Sequence, residues 1–379
     1  MATYDSNRHF FTAQNVEDIN IYRKEMDIID FDWKNQKPIE VDIDNIVLLE
    51  NQFRYRINVS EVSFECLYFP SKHKRLVVSL CGGGRTDNRY PKFLRWKYYN
   101  YYGAHYLCIE DPMYEIYKNI NHVMWYYGTK DKSYIDYMSI IIKKYMDILH
   151  IDPQNVIFYG SSGGGTASIY LANKIAGTCA IALNPQYYIG DWNTKITAFF
   201  SKEVGVDLLE KDDLGRHQVV LTEPNSRYFL VENSASQEDC NQFIPFFKTN
   251  NIPLRYGIFQ YNNIVTWIHN SNGIKPHSSN PEKEGFIIIN FLNEHIKKNR
   301  SIPDMSILSL AVNEYMNSFH SEKKKTHKIL NTKLRFIKII NAFFCHILYK
   351  IISKILHKKR MYWTKKSNEC FTVGSLTKR

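Results

Sequence analysis

Short apolar runs alternate with helix-length amphipathic stretches along most of this chain. Arg75–Leu80 (RLVVSL), Ala104–Ile109 (AHYLCI), Val156–Tyr159, Cys179–Leu183 and Tyr228–Glu232 are continuous apolar segments of strand length, the pattern of strands buried on both faces. Arg255–Ile258 reads as the last of them. Earlier, Asp44–Leu49 and Val62–Tyr68 are strand-like runs within a mixed region. Ser133–Leu149 places Ile135, Met138, Ile141, Ile142, Tyr145 and Ile148 at helical spacing, and Gly164–Lys174 is a helix of small residues. A further helical pattern covers Glu284–His295. Strands alternating with helices predict an α/β fold, a mostly parallel sheet with helices on both faces.

One of these strand-to-helix junctions carries chemistry. Residues 156–168 read VIFYGSSGGGTAS, in which Gly160-Ser161-Ser162-Gly163-Gly164 matches G-x-S-x-G. A serine on a tight strand-to-helix turn projects its hydroxyl above the sheet, and the glycines let the backbones approach. A phosphate loop would need a Gly-Lys-Ser/Thr, which does not follow. Cys81-Gly82-Gly83-Gly84 comes straight after RLVVSL, where an oxyanion loop belongs. The N–H groups of Gly83 or Gly84 are expected to act with that of Gly163, the alternative being a plain tight turn.

A nucleophilic serine needs a base and an acid, here in the order Ser, acid, His. His277 lies in the polar loop Ile274–Pro281, after the last strand, and is the expected base; His269, beside Trp267 and Ile268, is the alternate. His295 falls inside a helical pattern. The segment after Tyr228–Glu232 supplies the acid: Asp239 first, with Glu238 and Glu232 as competitors. Asp239 would otherwise serve as a cap for a helix beginning near Cys240.

Charge narrows the function classes. Lys and Arg number 49 against 38 Asp and Glu, a formal net charge of +11. From Ser321 onward, however, 16 Lys/Arg stand against 2 Asp/Glu, leaving 33 against 36 before it. A near-neutral body speaks against a nucleic-acid enzyme, whose working face would be basic. Seven cysteines (66, 81, 108, 179, 240, 345 and 370) are scattered singly, with no zinc-ligand spacing, so reduced thiols and no metal are expected. The first twenty residues carry no signal-peptide pattern, and a cytoplasmic protein is the reading.

With CGGG at 81–84, GSSGG at 160–164, Asp239 and His277 in this order, the chain resembles the α/β-hydrolase superfamily over roughly residues 65–300. Trp125-Tyr126-Tyr127-Gly128-Thr129, Asn184-Pro185-Gln186 and Asn233…Asp239…Pro245-Phe246 are similar to bacterial serine acyltransferases that O-acetylate surface glycans, capsule O-acetyltransferases among them. The resemblance implies a serine O-acetyltransferase working through an acyl-serine, with acetyl-CoA as co-substrate and a capsular polysaccharide or lipid-linked glycan as acceptor. It leaves open an esterase or deacetylase with the same triad, or a non-catalytic scaffold of a glycan-assembly complex. Aromatic residues at 90, 96, 98, 99, 101, 102, 114 and 125 would make a sugar-stacking wall or an ordinary aromatic core.

The domain reading is an N-terminal mixed region over 1–68, a catalytic body over 69–318 and a tail over 319–379. Within the tail, Thr332–Arg360 carries Leu334, Ile337, Ile340, Phe344, Ile347, Ile351 and Ile355 at three-or-four spacing among lysines. Its uncharged run is too short to span a bilayer. A basic amphipathic helix of this kind is expected at the inner face of the cytoplasmic membrane, or docked on a capsule-synthesis complex.

Overall fold

A computed structural model describes residues 31–83, 90–101, 103–118, 120–211, 213–270 and 276–278, with short stretches at 289–290, 292–294, 296–298 and 300–302. The amphipathic tail, His295, Gly84, Tyr102 and residues 284–288 of the expected last helix lie outside these residues.

Among the described residues ten strands form one sheet: β1 (Ile39–Asp42), β2 (Phe53–Val59), β3 (Val62–Phe69), β4 (Leu76–Leu80), β5 (His105–Ile109), β6 (Val156–Ser161), β7 (Cys179–Leu183), β8 (Arg227–Asn233), β9 (Gly257–Tyr261) and β10 (Ile264–His269). Their order is β1-β2-β3-β5-β4-β6-β7-β8-β10-β9. The six strands from β5 to β10 in that order are parallel to one another, whereas β3 and β9 run antiparallel to their neighbours β5 and β10. Strands β4 through β7 are buried at nearly every position because helices cover both faces. The fold is thus the α/β-hydrolase-like one expected.

The chain runs outward from β4 to β5 and then returns past β4 to β6, β7 and β8. Right-handed crossovers put connections made in opposite directions on opposite faces of the sheet. The long helices are α1 (Tyr134–Leu149), α2 (Gly163–Lys174) and α3 (Gln237–Thr249). Helix α1 buries Ile135, Met138, Ile141, Ile142 and Tyr145, but Ile148 is exposed at the helix end.

Two strand expectations need correction. Asp44–Leu49 is no strand: residues 43–45 make a 3₁₀ turn, Val47 is exposed, and Tyr55 donates its hydroxyl to Val47 O (3.2 Å) while accepting from Leu49 N–H (3.0 Å). The strand there is β2, whose FRYRINV alternates buried Tyr55, Ile57 and Val59 with Arg54 and Arg56. Those arginines reach Glu65 of β3 at 2.9 Å each, so ion pairing occupies positions that the apolar pattern passes over. Arg255–Ile258 is likewise replaced by the hairpin β9–β10, which turns at Asn262 with φ 53°. It is β10, not that segment, that ends the sheet's chain order.

Two buried polar groups hold loops near the C-terminal edge of the sheet. Arg216, 4% exposed, lies over the Tyr127 ring (3.9 Å) and donates to the carbonyls of Tyr127, Thr129, Lys130 and Lys132 at 2.7–3.1 Å. Its planar fork thereby pins the 127–132 loop. Glu232, fully buried near the end of β8, accepts the Tyr187 hydroxyl at 2.5 Å. Burial pushes its carboxyl well above the ordinary 4.5, the Tyr187 bond only partly opposing this and nearby Asp239 adding to it.

Arg216→Leu strands four backbone carbonyls and is expected to cost about 3 kcal/mol or more, read as a lower urea midpoint at unchanged slope. For Glu232 the folded state holds the proton that the unfolded chain releases, so its contribution is complete below about pH 4.5 and fades as pH rises toward the folded value. Glu232→Gln keeps the acceptor for Tyr187 without the proton. The Tm of this variant relative to the native protein should therefore climb from pH 4 to pH 8; a constant difference would contradict the shift.

Candidate active site

In a parallel sheet every strand delivers its C-terminal end to the same edge, and ligands gather where the chain's direction across the sheet reverses. Here that reversal lies between β4 and β6, paired with Leu80 opposite Gly160. The segments after β4, β6, β7, β8 and β10 carry Gly83, Ser162, Asn184 to Gln186, Asp239 and His277 respectively.

Ser162 is the residue between β6 and α2, at φ 54° and ψ −130°. This is a costly conformation for a side chain with a Cβ, of the order of 1–3 kcal/mol. It persists because the bend is clamped: Ser162 N–H donates to Leu183 O (2.8 Å), and Ser162 O accepts from Thr166 N–H (3.0 Å). The glycines make room for it. A Cβ on Gly160 would stand 2.3 Å from the Gly164 carbonyl carbon, and one on Gly164 would stand 2.5 Å from Leu80 O. Gly163 to Gly165 are buried while Ser161 and Ser162 are partly exposed.

The loop after β4 sits against this bend. A Cβ on Gly82 would come 2.7 Å from Ser161 O and 3.3 Å from Ser162 Cβ, and one on Gly83 would meet Val123 at 2.6 Å. Cys81 N–H donates to the Tyr126 hydroxyl (2.7 Å), which donates to Ile109 O (2.8 Å). Gly82 thus packs closely against the Ser161–Ser162 bend, and the first N–H groups of α2, which a helix leaves without partners of its own, follow Ser162 directly in the chain.

His277 and Asp239 meet. The imidazole Nδ1 lies 2.6 Å from Asp239 Oδ1, with Asp239 1% and His277 22% exposed. Helix α3 starts earlier than expected, at Gln237, and its cap is Ser236, whose Oγ accepts Asp239 N–H (3.3 Å). The carboxylate of Asp239 is therefore free of capping and turns to the histidine. Burial pushes it above its ordinary value, and the bond from His277 pulls it back. Of the competitors, Glu238 faces solvent and Glu232 is bound to Tyr187. His269 is buried at the end of β10, its carbonyl accepting from Ser234 N–H and Oγ.

Residues that entered the sequence reading only as parts of short motifs, with no role given to them, hold the histidine. Asn184 Nδ2 donates to His277 O and Asn233 Nδ2 to Pro276 O, both at 2.8 Å, and Asn184 Oδ1 accepts Asn233 N–H at 2.8 Å. Two strand-end asparagines thereby grip consecutive carbonyls of the loop. Gln186 Nε2 lies 3.0 Å from Ser162 Oγ, and its Oε1 accepts the Trp125 indole N–H at 3.0 Å. The partly exposed Trp192 ring lies 5.1 Å from that of His277. Trp192 was not named from the sequence, whereas Asn184, Gln186 and Asn233 were named as parts of short resemblance motifs without a role. Of the aromatic set, Tyr99, Tyr114 and Trp125 are buried and Tyr90, Trp96 and Tyr98 are partly exposed, with Phe69 stacked on Tyr99 and Trp96.

Among the described residues no group of His, Cys, Asp and Glu is disposed to hold a metal ion, and no helix is long and apolar enough to cross a membrane.

No family model matches the chain, and no curated protein sequence matches it. Solved structures similar to it include the capsule O-acetyltransferase of Neisseria meningitidis serogroup A, 14% identical, covering 62% of this chain and 94% of that one at a TM-score of 0.43. A Glycosylation Associate Protein complex from Streptococcus agalactiae is 14% identical over 63% of this chain and 45% of that one, TM-score 0.44. MPT51 of Mycobacterium tuberculosis is 12% identical over 64% and 98%, TM-score 0.44. Likeness at this level says nothing of substrate; the fold rests on the strand order and register above.

Proposed function

We propose that the protein is a serine-dependent O-acyltransferase, acting through an acyl-serine on Ser162. The observation that carries this reading is the 2.6 Å contact of His277 Nδ1 with buried Asp239, in a chain that also holds Ser162 at positive φ between a strand and a helix. A carboxylate on Nδ1 selects the tautomer that leaves Nε2 as base. In the proposed reaction Ser162 Oγ attacks the donor carbonyl and its proton passes to His277. The oxyanion takes hydrogen bonds from the N–H groups of Gly163 and the Gly83 loop, and the leaving group departs with the proton. An acceptor hydroxyl then attacks the acyl-serine, giving its proton to the same imidazole, which returns it to Oγ.

Within this reading the donor is acetyl-CoA and the acceptor a hydroxyl of a capsular or other surface polysaccharide, free or lipid-linked. Support for a sugar acceptor comes from Trp192, a partly exposed indole beside the base, since aromatic faces pack well against the apolar faces of sugar rings. The basic tail would hold the enzyme at the inner membrane surface or on a synthesis complex.

Ser162→Ala is expected to lower turnover about 10⁶-fold and to abolish fluorophosphonate labelling; Asp239→Asn should lower kcat about 10⁴-fold. Native protein that resists the probe would indicate a non-catalytic scaffold. Incubation with acetyl-CoA and a glycan panel should add the mass of an acetyl group to a sugar, whereas donor consumption without such a product would assign an esterase. Removing residues 321–379 should release the protein from anionic vesicles in a pelleting assay; unchanged pelleting would dismiss the tail as the anchor.

A further inference from the structure

We propose that Gln186 is a further catalytic residue of this site, its amide holding the Ser162 oxygen as a hydrogen-bond donor while the hydroxyl proton leaves for His277. The inference rests on the acyl-serine reading. Five contacts define it. An indole nitrogen only donates, so the 3.0 Å contact with Trp125 Nε1 assigns Gln186 Oε1 to that side. The amide nitrogen is thereby directed to Ser162 Oγ, 3.0 Å away. Oε1 also lies 3.3 Å from Oγ, a longer contact that the hydroxyl proton gives up when it turns to the base. The backbone cannot drift: Gln186 N–H donates to Thr166 Oγ1, and Thr166 Oγ1 donates to Gln186 O, both at 2.9 Å. Thr166 sits on α2, one helical turn after the nucleophile, and both Thr166 and Gln186 are fully buried.

The chemistry explains why a glutamine suits this place. As Oγ attacks the carbonyl of an activated acyl ester or thioester, the O–H bond breaks toward the imidazole and a new C–O bond forms. A donor already on Oγ stabilises the negative charge that the oxygen gains meanwhile. The same donor assists when Oγ is expelled from the second tetrahedral intermediate and takes its electron pair back. A carboxylate at this position would instead accept the hydroxyl proton and repel that charge. Glutamine supplies the donor and has no titration of its own near neutral pH.

The experiment compares Gln186→Glu, Gln186→Met and Trp125→Phe with the native full chain, using a fluorophosphonate probe and p-nitrophenyl acetate across pH 5–9. Gln186→Glu keeps shape and the acceptor for Trp125 but replaces the donor. It should slow labelling and p-nitrophenol release by roughly 10- to 100-fold, the range for losing a hydrogen bond to a charged group. Gln186→Met should fall less than Gln186→Glu, and Trp125→Phe less again, because the amide is then free to turn over. The pH midpoint set by the base should stay within a few tenths of a unit in Gln186→Met. A merely structural role would give equal losses in the Glu and Met variants, tracking their Tm. Labelling of Gln186→Glu within twofold of the native rate would overturn the inference alone. Native protein that does not label would remove the acyl-serine reading and this inference with it.

Discussion

Everything at the C-terminal edge of the sheet depends on how closely α2 and β4 approach the end of β6. The Gly160–Gly164 and Gly164–Leu80 separations leave no room for a Cβ, and that proximity is what holds Ser162 at φ 54°. Backbone strain of this kind lasts only where the surroundings over-determine it. Here they do so through the bonds from Ser162 to Leu183 and Thr166. The result is a hydroxyl lifted above a closely packed turn.

Parallel pairing supplies the rest of the assembly. Because β4, β6, β7, β8 and β10 lie in register with the same polarity, groups distant in sequence arrive at one edge without long loops. The histidine lies in the short turn Pro276–Ser278, and asparagines at the ends of β7 and β8 stabilise it by gripping the carbonyls of Pro276 and His277. Hydrogen bonds from buried amides to backbone carbonyls do for this loop what ladder bonds do for a strand.

Two buried carboxyl groups near this edge behave differently for a reason of environment. Asp239 has an imidazole against one oxygen, which offsets part of the cost of burial. Glu232 has a phenol, which donates one bond but brings no charge, and it stays protonated well above the usual range. A buried carboxylate is tolerated where a charge-capable donor faces it. Burial raises both carboxyl groups, and the two differ in what faces them, an imidazole at Asp239 and a phenol at Glu232.

Local pattern alone determined the central sheet, α1, α2 and the serine elbow, because each shows itself in a few consecutive residues: an apolar run, a helical period, a glycine cluster around Ser162. It did not determine β2, where Arg54 and Arg56 satisfy their charge on Glu65, nor the hairpin β9–β10, whose mixed residues show no clean period. It named Asp239 and His277 by chain order, but left Glu238, Glu232 and His269 beside them. Only tertiary structure separated these, since Glu238 faces solvent, Glu232 meets Tyr187 and His269 is spent on the end of β10. Gln186 and Trp125, 61 residues apart, acquire their relation solely through packing. A hydrogen bond across such a separation depends on where the sheet sets two chain segments, and no short stretch of sequence records that.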